Sequence, residues 1–546
     1  MTNETIKTFL EAVSDALYSY ILIAVLIGVG LYFFIRTKAL PLRMFGESLR
    51  VVAEPPEKEG EVSSFRALMV STASRVGVGN IAGVATAVGL GGAGSVFWMW
   101  VIATLGGASA FIESTLAQIY KKKGPHHSYG GPAYYIQTAL KKNWLASSFA
   151  VMLILTYMGG FNLLASFNVA DSFSAYSWAD EWTPWIVGAV LAVLMAASIF
   201  GGTRRLTDVT GVLVPIMALV YLGVGLVVIA LNYQNIPTMF RAIVSGAFDF
   251  RFETLAGGFA GSAMMYGIKR GLYSNEAGVG SAPNAAASAS VSHPVKQGLV
   301  QMLSVFIDTM VICTLTAFVV LSSGVEGSDT LKGAPLVTSS IATVLGGFAQ
   351  PFVSTALFLF AFTTLIGNFY YAEVNFRFLL RNVDFKHWML TAFRTIASVL
   401  VFAGALLEFE VAWSLGDILM GLLALINLPV IVILGKKAVD CLKDYQAQRK
   451  AGKEPQFVAS SIGLDPGELD YWQDKKAPAS DQSGAARGFR APRGPPREHD
   501  RGLCARRSRR GRGRIRTRRI AAHPRARASR CPASVAESIA KTVLSI

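Results

Sequence analysis

The chain has 546 residues, of which 52% are hydrophobic and only 16% charged, with a formal net charge of +16. The apolar residues come in long runs nearly free of charge rather than in amphipathic stripes, which excludes an ordinary soluble globular domain. Nearly all of the excess charge sits in one tail, because Arg487 to Arg530 holds seventeen arginines against two acids, Glu498 and Asp500.

A helix needs about 20 apolar residues to cross the hydrocarbon core, and irregular backbone cannot face lipid. Eleven spanning helices are therefore predicted, at roughly 17–36, 66–90, 94–120, 145–170, 183–202, 209–232, 254–290, 295–323, 348–380, 388–406 and 411–435. The fold class is an all-α polytopic membrane protein. The first run follows acidic Glu4, Glu11 and Asp15 with only Lys7 to offset them, and basic residues follow it. It reads as a retained helix, not a secretory leader. Before segment four, Tyr129 to Leu140 opens on Gly-Gly-Pro and predicts a short interfacial helix.

Basic residues cluster in alternate connections. One set holds Arg36, Lys38, Arg43, Arg50, Lys58 and Arg66, and another Lys121 to Lys123 with Lys141 and Lys142. Arg204 and Arg205, then Lys269, Arg270 and Lys296, then Arg377, Arg381 and Lys386, and finally Lys436 and Lys437 continue the series. The intervening connections are poor in Lys and Arg. The positive-inside rule then places the N-terminus (1–16) outside and the C-terminus in the cytoplasm.

The stretch 454–546 is rich in Arg, Gly, Pro, Ala and Ser without apolar periodicity, so it is expected to be a disordered tail. Docking on anionic lipid or nucleic acid is one reading of it. Repeated Arg-Arg and Arg-Gly pairs without acidic partners favour a functionless or frame-shifted stretch, and no nucleic-acid partner is expected. Cys313, Cys441, Cys504 and Cys531 have no metal-ligand spacing and form no disulfide framework. His126, His127, His293 and His387 lie near cytoplasmic edges and read as solvated surface.

Segment two contains Ser74-Arg-Val-Gly-Val-Gly-Asn-Ile-Ala-Gly83. Two glycines in mid-membrane weaken the helix by about 1 kcal/mol each relative to alanine. The motif fits a discontinuous helix whose freed amides meet a carboxylate while freed carbonyls meet a cation. Equally, it fits close packing through small residues. A second interruption is expected within Gly267 to Gly280 of segment seven. Setting aside the extra helix 17–36, the remaining ten segments divide into two fives, 66–232 and 254–437. The interrupted helix is first in each five, and the two enter the membrane from opposite sides, as an inverted repeat requires. Thr363-Thr364 in segment nine either hydrogen-bond back to their own helix or offer hard oxygen ligands to a sodium ion beside the first break. Arg75, Glu113, Glu276, Asp308 and Glu373 are ionisable residues within spans, to be read as paired charges between helices or as functional groups. Glu276 and Asp308 are the candidates for gating or coupling.

Val76-Gly-Val-Gly-Asn-Ile-Ala-Gly-Val-Ala-Thr-Ala-Val88, Phe97-Trp-Met-Trp100 and Glu113-Ser-Thr-Leu-Ala-Gln118 carry a family resemblance. So do Gly130-Gly-Pro-Ala-Tyr-Tyr135, Arg270-Gly-Leu-Tyr-Ser-Asn-Glu-Ala-Gly-Val-Gly-Ser-Ala-Pro283, Phe306-Ile-Asp-Thr-Met-Val-Ile-Cys-Thr314 and Asn368-Phe-Tyr-Tyr-Ala-Glu373. Over about residues 15 to 445 the chain resembles the alanine or glycine:cation symporter family. That resemblance implies a leucine-transporter-like fold, symport of alanine or glycine with sodium or protons, and a bacterial inner-membrane location. It also implies substrate contacts at Gly77, Val78, Gly79 and Asn80. Sodium would be held by the carbonyls of Ala73 and Val76 with Thr363 and Thr364, and no other cofactor is implied. On segment four, Asn162-Leu-Leu-Ala-Ser-Phe-Asn168 departs from the glutamine often found near Ala165 or Ser166 in that family, which bears on which amino acid is carried. Carriage of glutamine, or coupling to protons, is the nearest rival. A non-transporting amino-acid sensor is another. An enzyme is not expected, because the spans hold no nucleophile–base pair or His-Glu-x-x-His motif.

Overall fold

The computed structural model describes residues 3–58, 61–124, 127–248, 262–328, 330–383 and 386–473. The start of segment seven, His126, the side chains of Arg204 and Arg205, and the Arg-rich stretch from 474 onward lie outside these. Among the described residues, eight helices are long and apolar enough to cross a membrane. The three other predicted segments are two broken helices and one of 17 residues.

In chain order, α1 (Glu4–Arg36) crosses first and α2 (Phe45–Val52) is short. Segment two is α3 (Ser64–Arg75) and α4 (Gly79–Gly91), separated at residues 76–78. Then follow α5 (Gly94–Ile119), α6 (Pro132–Leu140), α7 (Asn143–Ser174), α8 (Thr183–Ile199) and α9 (Gly202–Leu231). Segment seven is α11 (Ser262–Asn275) and α12 (Ala282–Ala286), preceded by α10 (Ile236–Ala247). The chain continues through α13 (Pro294–Ser323), α14 (Gly333–Leu345), α15 (Ala349–Leu379), α16 (His387–Gly404) and α17 (Phe409–Lys450). The helix expected before segment four is α6, starting at the proline that presets its first turn.

Helix α5 runs through the middle of the bundle. Its buried run Gly106 to Ala110 has almost no side-chain bulk, so neighbours approach its backbone closely. A Cβ added to Gly106 would stand 2.8 Å from that of Ala277, in the break of segment seven. Several helices loosen into π turns, at Gly79–Gly83, Leu155–Phe161 and Phe306–Cys313. Such turns gather at functional sites, and two of these three carry Asn80 and Asp308.

Four expectations change. Helix α14 was not foreseen; it packs on α4 and its π turn and so lies against the first broken helix. Lys269 and Arg270, counted above with the connections on the C-terminal side, sit within α11. Lys269 bonds Ser14 at 2.8 Å and Asp417 at 3.1 Å, so the pair belongs to the end that holds α1's first turns and the start of α17. His293 is not solvated surface. It is fully buried, bonds Asp444 at 3.1 Å and caps α13 through the Val295 N–H. Burial works against the Asp444 carboxylate, but the His293 bond and charge outweigh it and hold the group below the usual range. The tail boundary also moves, since residues 454–473 pack against the helices with Phe457, Leu469 and Trp472 buried.

Candidate functional site

The site lies where the two broken helices meet α5, α13 and α15. In an unbroken helix the Gly77 N–H would donate to the Ala73 carbonyl. Here it donates to Asn80 Oδ1 at 2.9 Å. The Asn80 N–H, which would serve the Val76 carbonyl, donates instead to Gly77 O at 3.2 Å. The break thus diverts the helical donors of the two carbonyls singled out for a cation, Ala73 and Val76.

The two threonines of α15 separate. Thr364 Oγ1 is buried without a hydrogen-bond partner, and a Cβ on Gly77 would collide with it. Thr363 donates to its own helix at Phe360 O, 3.0 Å away, and its oxygen lies 3.7 Å from Met217 Sδ. Helix α15 reaches the break because Gly367 faces Ser74; a Cβ there would come to 2.8 Å from the Ser74 nitrogen. Thr364 therefore fits an oxygen site at the break in this conformation, and Thr363 is turned away from it.

The other halves of the site are tied across the breaks by two buried acids. Asn80 Nδ2 donates to Asp308 Oδ1 at 2.7 Å, while the Ser274 hydroxyl donates to Asp308 Oδ2. Asp308 on α13 thereby links the first broken helix to the second. Glu276 accepts from Ser74 at 3.3 Å and from Ser281 at 2.6 Å, reaching from one side of its own break to the other helix. Its φ of +53° is strained for a residue with a side chain. Asn368 extends this chain of bonds, sharing the single Ser74 proton with Glu276 at a distance of 2.6 Å and donating to Asn162 at 3.0 Å.

The unwound stretch of segment seven is held from a third direction. Glu113 accepts from the Gly278 N–H at 3.3 Å and from Asn427 at 2.8 Å, and Asn427 also donates to Gly278 O. Above Gly79 stands an aromatic tier. The Tyr273 ring would be 2.6 Å from a Cβ there, and it meets Phe161 and Trp413 at centroid distances of 4.7 and 5.2 Å. Arg270 lies over Trp413 at 4.1 Å and grips Asp417 through two bonds of 3.1 and 2.9 Å.

Gly77, Val78, Gly79 and Asn80 are all buried at one place, with Asp308 bonded to Asn80 and Glu276 to the end of α3. Sequence reasoning missed Ser74, Ser274, Asn368, Asn427 and Asp417. For Asp417 a signal existed, a lone acid in the apolar run of segment eleven; uncharged Ser and Asn inside a span give none. Chemically the arrangement offers diverted carbonyls, an unpartnered hydroxyl and small-residue backbone, suited to binding an ion and a small zwitterion. Among the described residues no cluster of three His, Cys, Asp or Glu side chains could hold a metal ion.

A sequence profile of the sodium:alanine symporter family matches residues 3–459. The amino-acid carrier protein AlsT of Bacillus subtilis is 43% identical over 467 residues, covering 85% of this chain and 97% of its own. The sodium/alanine symporter AgcS of Methanococcus maripaludis is 35% identical, covering 81% and 98%. The probable sodium/glutamine symporter GlnT of Bacillus subtilis is 41% identical, covering 81% and 91%. A crystal structure of MhsT in complex with L-phenylalanine covers 77% of this chain and 94% of its own at 14% identity, with a TM-score of 0.46, too distant to inform the site. On the family profile and these identities, the chain belongs to the sodium:alanine symporter family.

Proposed function

We propose that the protein is a secondary active transporter that carries a small neutral amino acid, alanine or glycine, with Na⁺ into a bacterial cell by alternating access. One observation carries the reading: the break between α3 and α4 diverts the donors of Ala73 and Val76 beside the unpartnered hydroxyl of Thr364. Na⁺ binds those three oxygens, and Thr363 joins them by rotating away from Phe360. The substrate carboxylate takes the Gly77 amide from Asn80 Oδ1, which occupies the place of a carboxylate oxygen in this conformation. Val78 and Gly79 complete the backbone cradle.

Residues 66–232 and 254–437 act as the two five-helix repeats, with α1 peripheral. The N-terminus lies outside and the C-terminal side faces the cytoplasm. Coupling needs no covalent chemistry. Ion and amino acid stabilise the same conformations, so each raises the other's affinity by the same factor. Asp308 and Glu276 transmit that coupling, because each bonds both broken helices.

Equilibrium binding of radiolabelled alanine to the purified protein tests the reading. Binding is expected in Na⁺ and is lost when choline replaces it, with competition by glycine. Equal binding in both salts would remove the ion from the site. Stronger competition by glutamine than by glycine would shift the substrate class toward that of GlnT.

A further inference from the structure

The chain does not leave the bundle at the end of α17. It turns after Lys450 and runs back beneath the helix ends to residue 473. The turn is fixed by paired bonds between Gln448 and Gln456, both 2.9 Å. Phe457 then donates from its N–H to Ser292 O at 2.9 Å, and Trp472 donates from Nε1 to Gln118 O at 2.9 Å. The Phe457 and Trp472 rings meet at 5.0 Å and both are buried. Buried Lys121 lies 3.8 Å from the centre of the Tyr471 ring.

What this strap covers is the junction between the two broken helices on that face. Before α3, the Glu57 N–H donates to Ser290 O at 3.1 Å, and the Ser290 N–H donates to Val62 O at 2.9 Å. Glu57 and Val62, on the way into the first broken helix, are thus stitched to the stretch that follows the second. Lys121 donates to Ala289 O at 2.8 Å within the same stitch. Lys296, itself buried, joins the strap at Glu454 to Glu54 of the stretch after α2.

The strap is fastened in a way that allows release. Its acids Glu454 and Glu468 are both about half exposed, and the Glu468 pair with exposed Lys141 is a surface pair, which holds weakly. Its backbone makes few bonds to the spanning helices, so it can detach as a small local unit. It also reaches beyond residue 459, where the match to the family profile ends.

We propose that residues 454–473 are a latch: docked, they hold Glu57 and Val62 against 289–292 and keep this face closed, and undocked, they let the two broken helices part there. The inference rests on the carrier reading for what the opening serves. Its test reads amide exchange, which needs no substrate.

The experiment is hydrogen–deuterium exchange on the full chain in lipid nanodiscs, comparing wild type with the double variant Phe457→Ala, Trp472→Ala. The Phe457-site amide reports undocking, and the Glu57 and Ser290 amides report opening. The latch predicts exchange at Glu57 and Ser290 at least about tenfold faster in the variant, with the middle of α5, Gly106 to Ala110, unchanged. A released strap with Glu57 and Ser290 still protected as in wild type overturns it. Should the aromatic variant loosen α5 as well, Glu454→Gln with Asp470→Ala, which strips the ion pair and the Asp470 bond to the Lys123 N–H, is judged by the same two amides. Failure of alanine uptake in every chain would count against the carrier reading and leave the exchange result standing.

Discussion

Replacing Thr364 with alanine raises the Na⁺ concentration needed for half-maximal alanine binding by at least about tenfold. The hydroxyl is buried, unpartnered and pressed against Gly77, so its loss frees no existing hydrogen bond and removes one ligand of the proposed ion site. A bond to a charged group contributes about 1.5–3 kcal/mol, and about 1.4 kcal/mol corresponds to a factor of ten in affinity. Thr363→Ala is the internal comparison. That hydroxyl must give up its bond to Phe360 before it can join the ion, so its net contribution is smaller and its removal shifts the midpoint by no more than about threefold. Titrating alanine binding against Na⁺ for the two variants separates the roles. Equal, small shifts for both would take α15 out of the ion site.

The largest loss of stability is expected from Asp417→Ala. Asp417 is buried and answers two cations, Lys269 at 3.1 Å and Arg270 in a two-pronged contact. Removing one partner of a buried pair costs about 3–5 kcal/mol, because the other charge stays behind without compensation. Lys269 keeps Ser14 and Asp15, but Arg270 is left against the Trp413 ring. Thermal unfolding followed by tryptophan fluorescence in detergent should show a clearly lowered midpoint for Asp417→Ala and a smaller drop for Asp417→Asn. Replacing Arg270 by methionine together with Asp417 by leucine should recover much of the loss, as a buried pair exchanged for apolar groups often does. A single variant as stable as wild type would mean that the cluster is hydrated and carries little of the fold.

The helices were legible because the membrane demands long apolar runs, and those runs survive any tertiary detail. The two breaks were legible for a different reason. Gly77 and Gly79 mark a weak point in a span, and a second weak point at the equivalent place of the next five helices gives it meaning. What the sequence could not reveal is where donors go once a helix breaks. That the Asn80 side chain would cap Gly77, and its N–H turn to Gly77 O, depends on a side-chain rotation and on local backbone angles, which residue type alone does not set. The same holds for Thr363 and Thr364, adjacent in sequence but separated by the 100° turn between helix neighbours. The charge-based reading of connections failed at Lys269 and Arg270 because their neutralising acid, Asp417, lies 147 residues on from Arg270. The strap failed for lack of periodicity: Phe457, Leu469 and Trp472 are anchors spaced too irregularly to form a pattern.

The most direct test of the account is uptake of radiolabelled alanine by proteoliposomes containing the full chain, with and without an inward Na⁺ gradient. The account predicts accumulation above the external concentration only with the gradient, abolished when an ionophore dissipates it. Uptake that merely equilibrates, and to the same level in either condition, would contradict it.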